Sequence, residues 1–116
     1  MSVKLGNKGE DLACSFLEEK GFKIIARNFR HKRNEIDIIA QDEKATLVFV
    51  EVKAKSSARF GHPEEAVDSK KAARIMEAAE HYIYLNNWKD NIRFDVIAID
   101  LSKDQHEIFH FEDAFY

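Results

Sequence analysis

The spacing of apolar side chains changes repeatedly along the chain. Over residues 7–20, Leu12, Ala13, Phe16 and Leu17 recur at helical intervals, acidic residues stand near the start and Gly21 supplies a stop, which predicts a helix. Residues 22–28, built on Phe22, Ile24, Ile25 and Ala26, read as a strand, with the basic segment 30–34 as its turn. Residues 35–41 read as the next strand. A tight polar connection at 42–44 then predicts that a third strand, 46–53, returns antiparallel. Residues 56–63 form a predicted loop, after which Ala66, Val67, Ala72, Ile75, Met76, Ala79, Tyr82 and Ile83 mark a long amphipathic helix. A fourth strand over 92–100 carries Phe94, Val96, Ile97 and Ile99, and a shorter fifth follows over 106–111. The order αβββαββ predicts an α/β fold: a mixed five-stranded sheet flanked by helices.

The third strand is apolar on both faces, with Val48, Val50 and Val52 on one and Leu47 and Phe49 on the other, as expected of a central strand covered on both sides. Glu51 and Lys53 then stand at its end. Charges buried there without a partner would cost several kcal/mol, comparable to the whole stability margin of a domain, so they must be paired, metal-bound or at an open rim. A lone Glu-x-Lys is ordinarily a structural ion pair. The preceding strand, however, carries Glu35 and Asp37 on one face, and the hairpin lets Asp37 converge with Glu51 and Lys53. Two carboxylates beside an ammonium suit a hard divalent cation next to a phosphodiester. Glu10 borders the apolar stripe of the first helix, turned partly toward the sheet; its plainer role is a charge favoured by the helix start.

At 116 residues, 45% hydrophobic and 34% charged, the chain fits a single domain over residues 1–116. The one cysteine, Cys14, excludes a disulfide framework and points to a reducing, cytoplasmic compartment. No apolar run approaches the roughly 20 residues of a membrane span, so no membrane partner is expected. A net charge of -3 argues against indiscriminate nucleic-acid binding. Its distribution alters that picture: residues 27–33 and 53–62 are basic and free of acids, and both adjoin the suspected site, whereas acids gather in 100–116. The five histidines show no paired ligand spacing, so a structural zinc is not expected.

Gly9-Glu10, Asn28, Arg30, Glu35-Ile36-Asp37, Val48-Phe49-Val50-Glu51-Val52-Lys53, Phe60-Gly61 and Arg93-Phe94-Asp95-Val96-Ile97 together resemble the YraN-like family of small bacterial proteins, over most of residues 6–100. That family is grouped with PD-(D/E)xK nucleases, among which archaeal Holliday-junction resolvases are well-understood relatives. The resemblance implies a restriction-endonuclease-like core with Glu10, Asp37, Glu51 and Lys53 as active-site positions. In one departure, Asn34 stands before Glu35 where glycine is expected; asparagine also tolerates a left-handed backbone.

Resemblance and residue chemistry together give an expected mechanism of metal-dependent DNA cleavage, on branched or structured DNA in the resolvase manner. Asp37 and Glu51 would bind magnesium, with manganese as a substitute and the Val52 carbonyl as a further ligand. Glu10 would act through a metal-bound water or complete a second metal site. Lys53 would orient or deprotonate the attacking water and stabilise charge on the phosphate. Glu35, on Asp37's face two positions away, would either support the metal ligands or, the preferred role, pair with the basic turn. Arg30, Lys32, Arg33, Lys55 and Arg59 are candidate phosphate contacts and Phe60 a candidate base-stacking side chain, against the alternative of a solvated charged turn. Lys70, Lys71 and Arg74 group near the start of the long helix, either extending that patch or standing as the ordinary basic residues of an exposed helical face. Resolvases work as symmetric dimers, so the resemblance also allows a homodimer. The alternative functions are a nucleic-acid-binding module of the same fold that has lost turnover or needs a partner protein, and a protein-interaction domain whose charged cluster is a satisfied ionic network.

Overall fold

The computed structural model describes residues 2–55, 69–102 and 104–115, with side chains from residue 8 onward. Helix α1 (Ser2–Glu19) is followed by strands β1 (Lys23–His31), β2 (Asn34–Gln41) and β3 (Leu47–Lys55), helix α2 (Ser69–Asn86), and strands β4 (Ile92–Asp100) and β5 (Glu107–Phe111). This is the order expected from the periodicities. The five strands form one mixed sheet in the order β1-β2-β3-β4-β5; only β3 and β4 run parallel, and α2 lies between them in the chain. The predicted loop 56–63, with Arg59 and Phe60, and the first predicted helical positions Ala66 and Val67 lie outside the described residues. No helix among the described residues is long and apolar enough to cross a membrane.

Strand β3 is covered on both faces, as its two-sided apolar pattern requires. Val48 and Val50 pack with Ile38, Ile97 and Ile99 beneath Ala13 and Leu17 of α1, while Leu47 and Phe49 pack with Ile39 and Val96 beneath Ala72, Ile75 and Ala79 of α2. Helix α1 stops at Gly21, whose φ of 93° suits a residue without Cβ; Gly21 N–H donates to the Glu18 carbonyl and Phe22 N–H to that of Leu17, closing the last turn. The β2–β3 connection is held by Asp42, whose Oδ1 accepts the N–H groups of Lys44 and Thr46.

The first hairpin differs from expectation. β1 continues to His31, Arg30 belongs to the strand and pairs with Glu35, and the turn shrinks to Lys32 and Arg33. The left-handed residue of that turn is Lys32 (φ 59°), and Asn34 opens β2 instead. A second left-handed residue, Asn28 (φ 54°), lies inside β1 between the partners of Ile38 and Ile36. At that level the alternation of β2 breaks: Ile36 packs on the α2 side together with Ile39, while Ile38 packs on the α1 side.

On the α1 face, Asp95 is 0% exposed and carries a complete ionic network. Arg93 donates to both its oxygens (2.9 and 3.0 Å), His110 Nε2 lies 2.8 Å away and Asp113 N–H donates at 3.0 Å. Lys20 Nζ stands 2.7 Å from His110 Nδ1 and can only donate, so Nδ1 accepts and Nε2 carries the proton given to Asp95. Burial alone would raise the Asp95 pKa, but the hydrogen bonds from His110, Arg93 and Asp113 outweigh it and hold the carboxyl below its usual range. The network ties the end of α1 and strand β5 to β4. Asp95→Ala should therefore cost about 2–4 kcal/mol in denaturant unfolding, because it removes the shared acceptor of Arg93, His110 and the Asp113 N–H, while Arg93 keeps Asp42 and Glu112; a loss under about 1 kcal/mol would contradict this role.

Gly9 sets the approach of α1 to the sheet: a Cβ there would lie 2.7 Å from the Ala54 Cβ on β3. Gly9→Ala would gain about 1 kcal/mol of helix propensity on an exposed helix. Here the overlap should reverse the sign and lower the thermal midpoint, by about 1–3 kcal/mol of overpacking. A raised midpoint would show that α1 does not press on β3.

Candidate active site

The paired part of β2 and β3 ends at Ile38 and Val50. One residue further, the strands give up the ladder and side chains take its place: Asp37 Oδ2 accepts the Val52 N–H at 2.8 Å. That bond holds Asp37 where the strands separate, close enough to Glu51 for that carboxylate to raise its pKa. Glu51 is 4% exposed. An open cleft of about 470 Å3 lies over the pair, and Lys53, Val52, Glu35, Arg33, Asn34, Lys71, Arg74 and Ile75 complete its walls. Sequence alternation had placed Asp37, Glu51 and Lys53 together, and they share this cleft.

The electrostatics follow from the crowding. Burial, and then the Glu51 carboxylate, push the Asp37 pKa from 3.8 up to about 8, so the pair holds a proton near neutrality when no cation is bound. Burial, and then the neighbouring ammonium of Lys71, lower the Lys53 pKa, with Glu51 opposing. Glu51 itself is ion-paired with Lys71 Nζ. Paired carboxylates that share a proton are a donor set for a hard divalent cation, which would replace that proton. Two carboxylates suffice where the ion keeps several waters.

Glu10 does not join the pair. It stands on α1, which packs on the opposite face of the sheet, and its Oε1 lies 3.5 Å from Arg27 Nη2; the same guanidinium binds Asp11 at 2.8 Å. Its charge still contributes weakly to the raised pKa of Asp37. No group of three or more His, Cys, Asp or Glu side chains able to hold a metal occurs among the described residues. Arg27, facing α1 from β1, gives Glu10 a charged partner on that face.

The candidate phosphate contacts divide. Arg33 lines the cleft. Arg30 pairs with Glu35 at 2.9 Å, the role expected of Glu35, and Lys32 lies 3.8 Å from Glu77; both basic side chains remain largely exposed, and pairs of this kind hold them weakly. Lys55 is exposed at the end of β3, and Arg59 and Phe60 lie outside the described residues. Lys71 and Arg74 line the cleft, and Lys70 is not among its walls. The phase of α2 separates Lys71 from Lys70: Lys71 falls on the stripe of Ile75 and Ala78, both buried, whereas Lys70 falls on the exposed stripe of Glu77, with Arg74 at the cleft edge of that stripe.

A family profile described as "Uncharacterised protein family UPF0102" matches residues 9–99. A UPF0102 protein of Cytophaga hutchinsonii is 48% identical over 84% of this chain and 85% of its own length. Another, of Flavobacterium psychrophilum, is 45% identical over 97% of this chain and 93% of its own. A solved structure of Pyrococcus furiosus SfsA in complex with Ca2+ aligns with a TM-score of 0.35 at 18% identity, covering 95% of this chain and 63% of that one. The chain belongs to the UPF0102 family.

The shared proton gives a pH dependence. Asp37 holds its proton up to about pH 8 in the folded state but only to its usual 3.8 when unfolded, so its contribution to stability is full in acid and is lost as pH rises through that window. In chelator, the thermal midpoint should therefore fall between about pH 5.5 and about pH 8 more steeply for wild type than for Asp37→Asn. Magnesium or manganese should restore more stability at the higher pH. Equal pH slopes for the two proteins would contradict the carboxyl pairing.

Proposed function

We propose that this UPF0102 protein is a metal-dependent endonuclease that hydrolyses phosphodiester bonds in DNA. The observation that carries this reading is that Asp37 and Glu51 line one open cleft with Lys53 beside them and Arg33, Lys71 and Arg74 around them. Asp37 and Glu51, with the Val52 carbonyl, would hold a magnesium or manganese ion. Such an ion supplies Lewis-acid polarisation of a phosphoryl oxygen and a more acidic water.

The chain's own residues account for the rest. The Val52 N–H orients Asp37, so one carboxylate oxygen is fixed before substrate arrives. Lys53, its ammonium weakened by burial, gives up a proton more readily than a surface lysine; it suits both orienting an attacking water and taking its proton. Arg33 and Arg74 offer forked donors to a strand's phosphates, which fixes position without reading sequence. Glu10, held by Arg27, is left outside the reacting atoms and acts on Asp37 through its field.

A second reading, a nucleic-acid-binding module that does not turn over or needs a partner, draws on the lack, among the described residues, of a group of three or more ligand side chains able to hold a metal. One experiment separates the two. Purified protein is incubated with linear, flapped and four-way DNA in magnesium or manganese, beside Glu51→Ala and Lys53→Ala. The nuclease reading expects metal-dependent cleavage by wild type and a loss of roughly a hundredfold or more in each variant. Equal cleavage by all three proteins would reveal a contaminant. Wild type that binds DNA but never cuts it with either metal would leave the module reading.

A further inference from the structure

Lys71 reaches into the cleft from α2 and ion-pairs with Glu51 Oε2. The two partners differ in their hold on solvent. The Lys71 side chain keeps 38% of its surface exposed, whereas Glu51 is nearly out of water. A buried carboxylate stripped of a paired cation is strongly destabilised, and Lys71 supplies such a pairing at Glu51 when no metal is bound. An ammonium and a divalent cation use the same oxygen lone pairs, and two cations crowded on one carboxylate repel.

Resting on the cation site described above, we infer that Lys71 is a tethered counter-ion that exchanges with the divalent cation at Glu51 and, once displaced, turns to the strand's phosphates. Its flexible four-carbon stem allows the movement without a change in backbone. Arg74, on the next turn of α2, and Arg33 across the cleft mark where the displaced ammonium meets a phosphate. Cation binding and DNA binding are then linked. The cation releases a positive charge toward the strand, and by reciprocity a bound strand that holds Lys71 away from Glu51 tightens the cation site.

The test uses manganese alone, followed by loss of the free-ion paramagnetic resonance signal, with wild type, Lys71→Gln, Lys70→Gln and Glu51→Gln. Lys70 is exposed one residue away, so Lys70→Gln controls for the change in net charge. Lys71→Gln should bind manganese roughly fivefold or more tightly than wild type, the lower end of ordinary coupling between sites. Lys71→Met, which keeps the apolar stem, should behave alike; Lys70→Gln should stay within about twofold, and Glu51→Gln should lose saturable binding. If both Lys71 variants bind no tighter than Lys70→Gln, the exchange is overturned while the cation site stands. If wild type shows no saturable binding, both are overturned. Fluorescence polarisation of a labelled DNA hairpin in calcium and in chelator tests the second half. Calcium should raise the affinity of wild type more than that of Lys71→Gln, and equal increments would overturn the release of Lys71 toward phosphate.

Discussion

The 2.8 Å bond from the Val52 N–H to the Asp37 carboxylate occupies the point at which β2 and β3 stop pairing. A backbone donor near the centre of a sheet must find an acceptor, and a continued ladder would have supplied a carbonyl. Here a side chain serves, so the strands can separate without leaving the donor orphaned. The separation opens the cleft and at the same time brings the Asp37 carboxyl against that of Glu51. The left-handed Asn28 on β1 lies at the same level and shifts the alternation of β2. The irregularity of the sheet and the acidity of the site are therefore one feature.

Charge balance then distributes the surrounding residues. The carboxyl pair is relieved by a shared proton, by Lys71 and by Lys53, whose own pKa falls through burial and the proximity of Lys71. On the opposite face Asp95 is still more deeply buried, yet Arg93, His110 and the Asp113 N–H satisfy it completely and hold its pKa low. The two aspartates thus move in opposite directions for a stated reason. Asp95 is met by donors and serves as a fastening between α1, β4 and β5; Asp37 is met by another acid and remains poised to exchange its proton for a cation.

Much of this was legible in the sequence because its cause is local. The two-sided apolar pattern of Leu47, Val48, Phe49 and Val50 identified a central strand, and alternation with a short hairpin put Asp37, Glu51 and Lys53 on one side. Sequence periodicity could not show that Arg27 would claim Glu10, since that depends on which face of the sheet α1 covers. Lys71 was recoverable from the helical phase, but its value emerged only with Glu51 beneath it. The joining of Asp95 to His110 and Lys20 spans nearly the whole chain and has no spacing signature.

The account depends on Asp37 and Glu51 forming a seat for a divalent cation. Anomalous diffraction from crystals soaked in manganese tests this most directly. The account predicts a peak bridged by oxygens of Asp37 and Glu51, with Lys71 Nζ moved off Glu51. A peak elsewhere, or none at saturating manganese with the Lys71 to Glu51 ion pair intact, would contradict it.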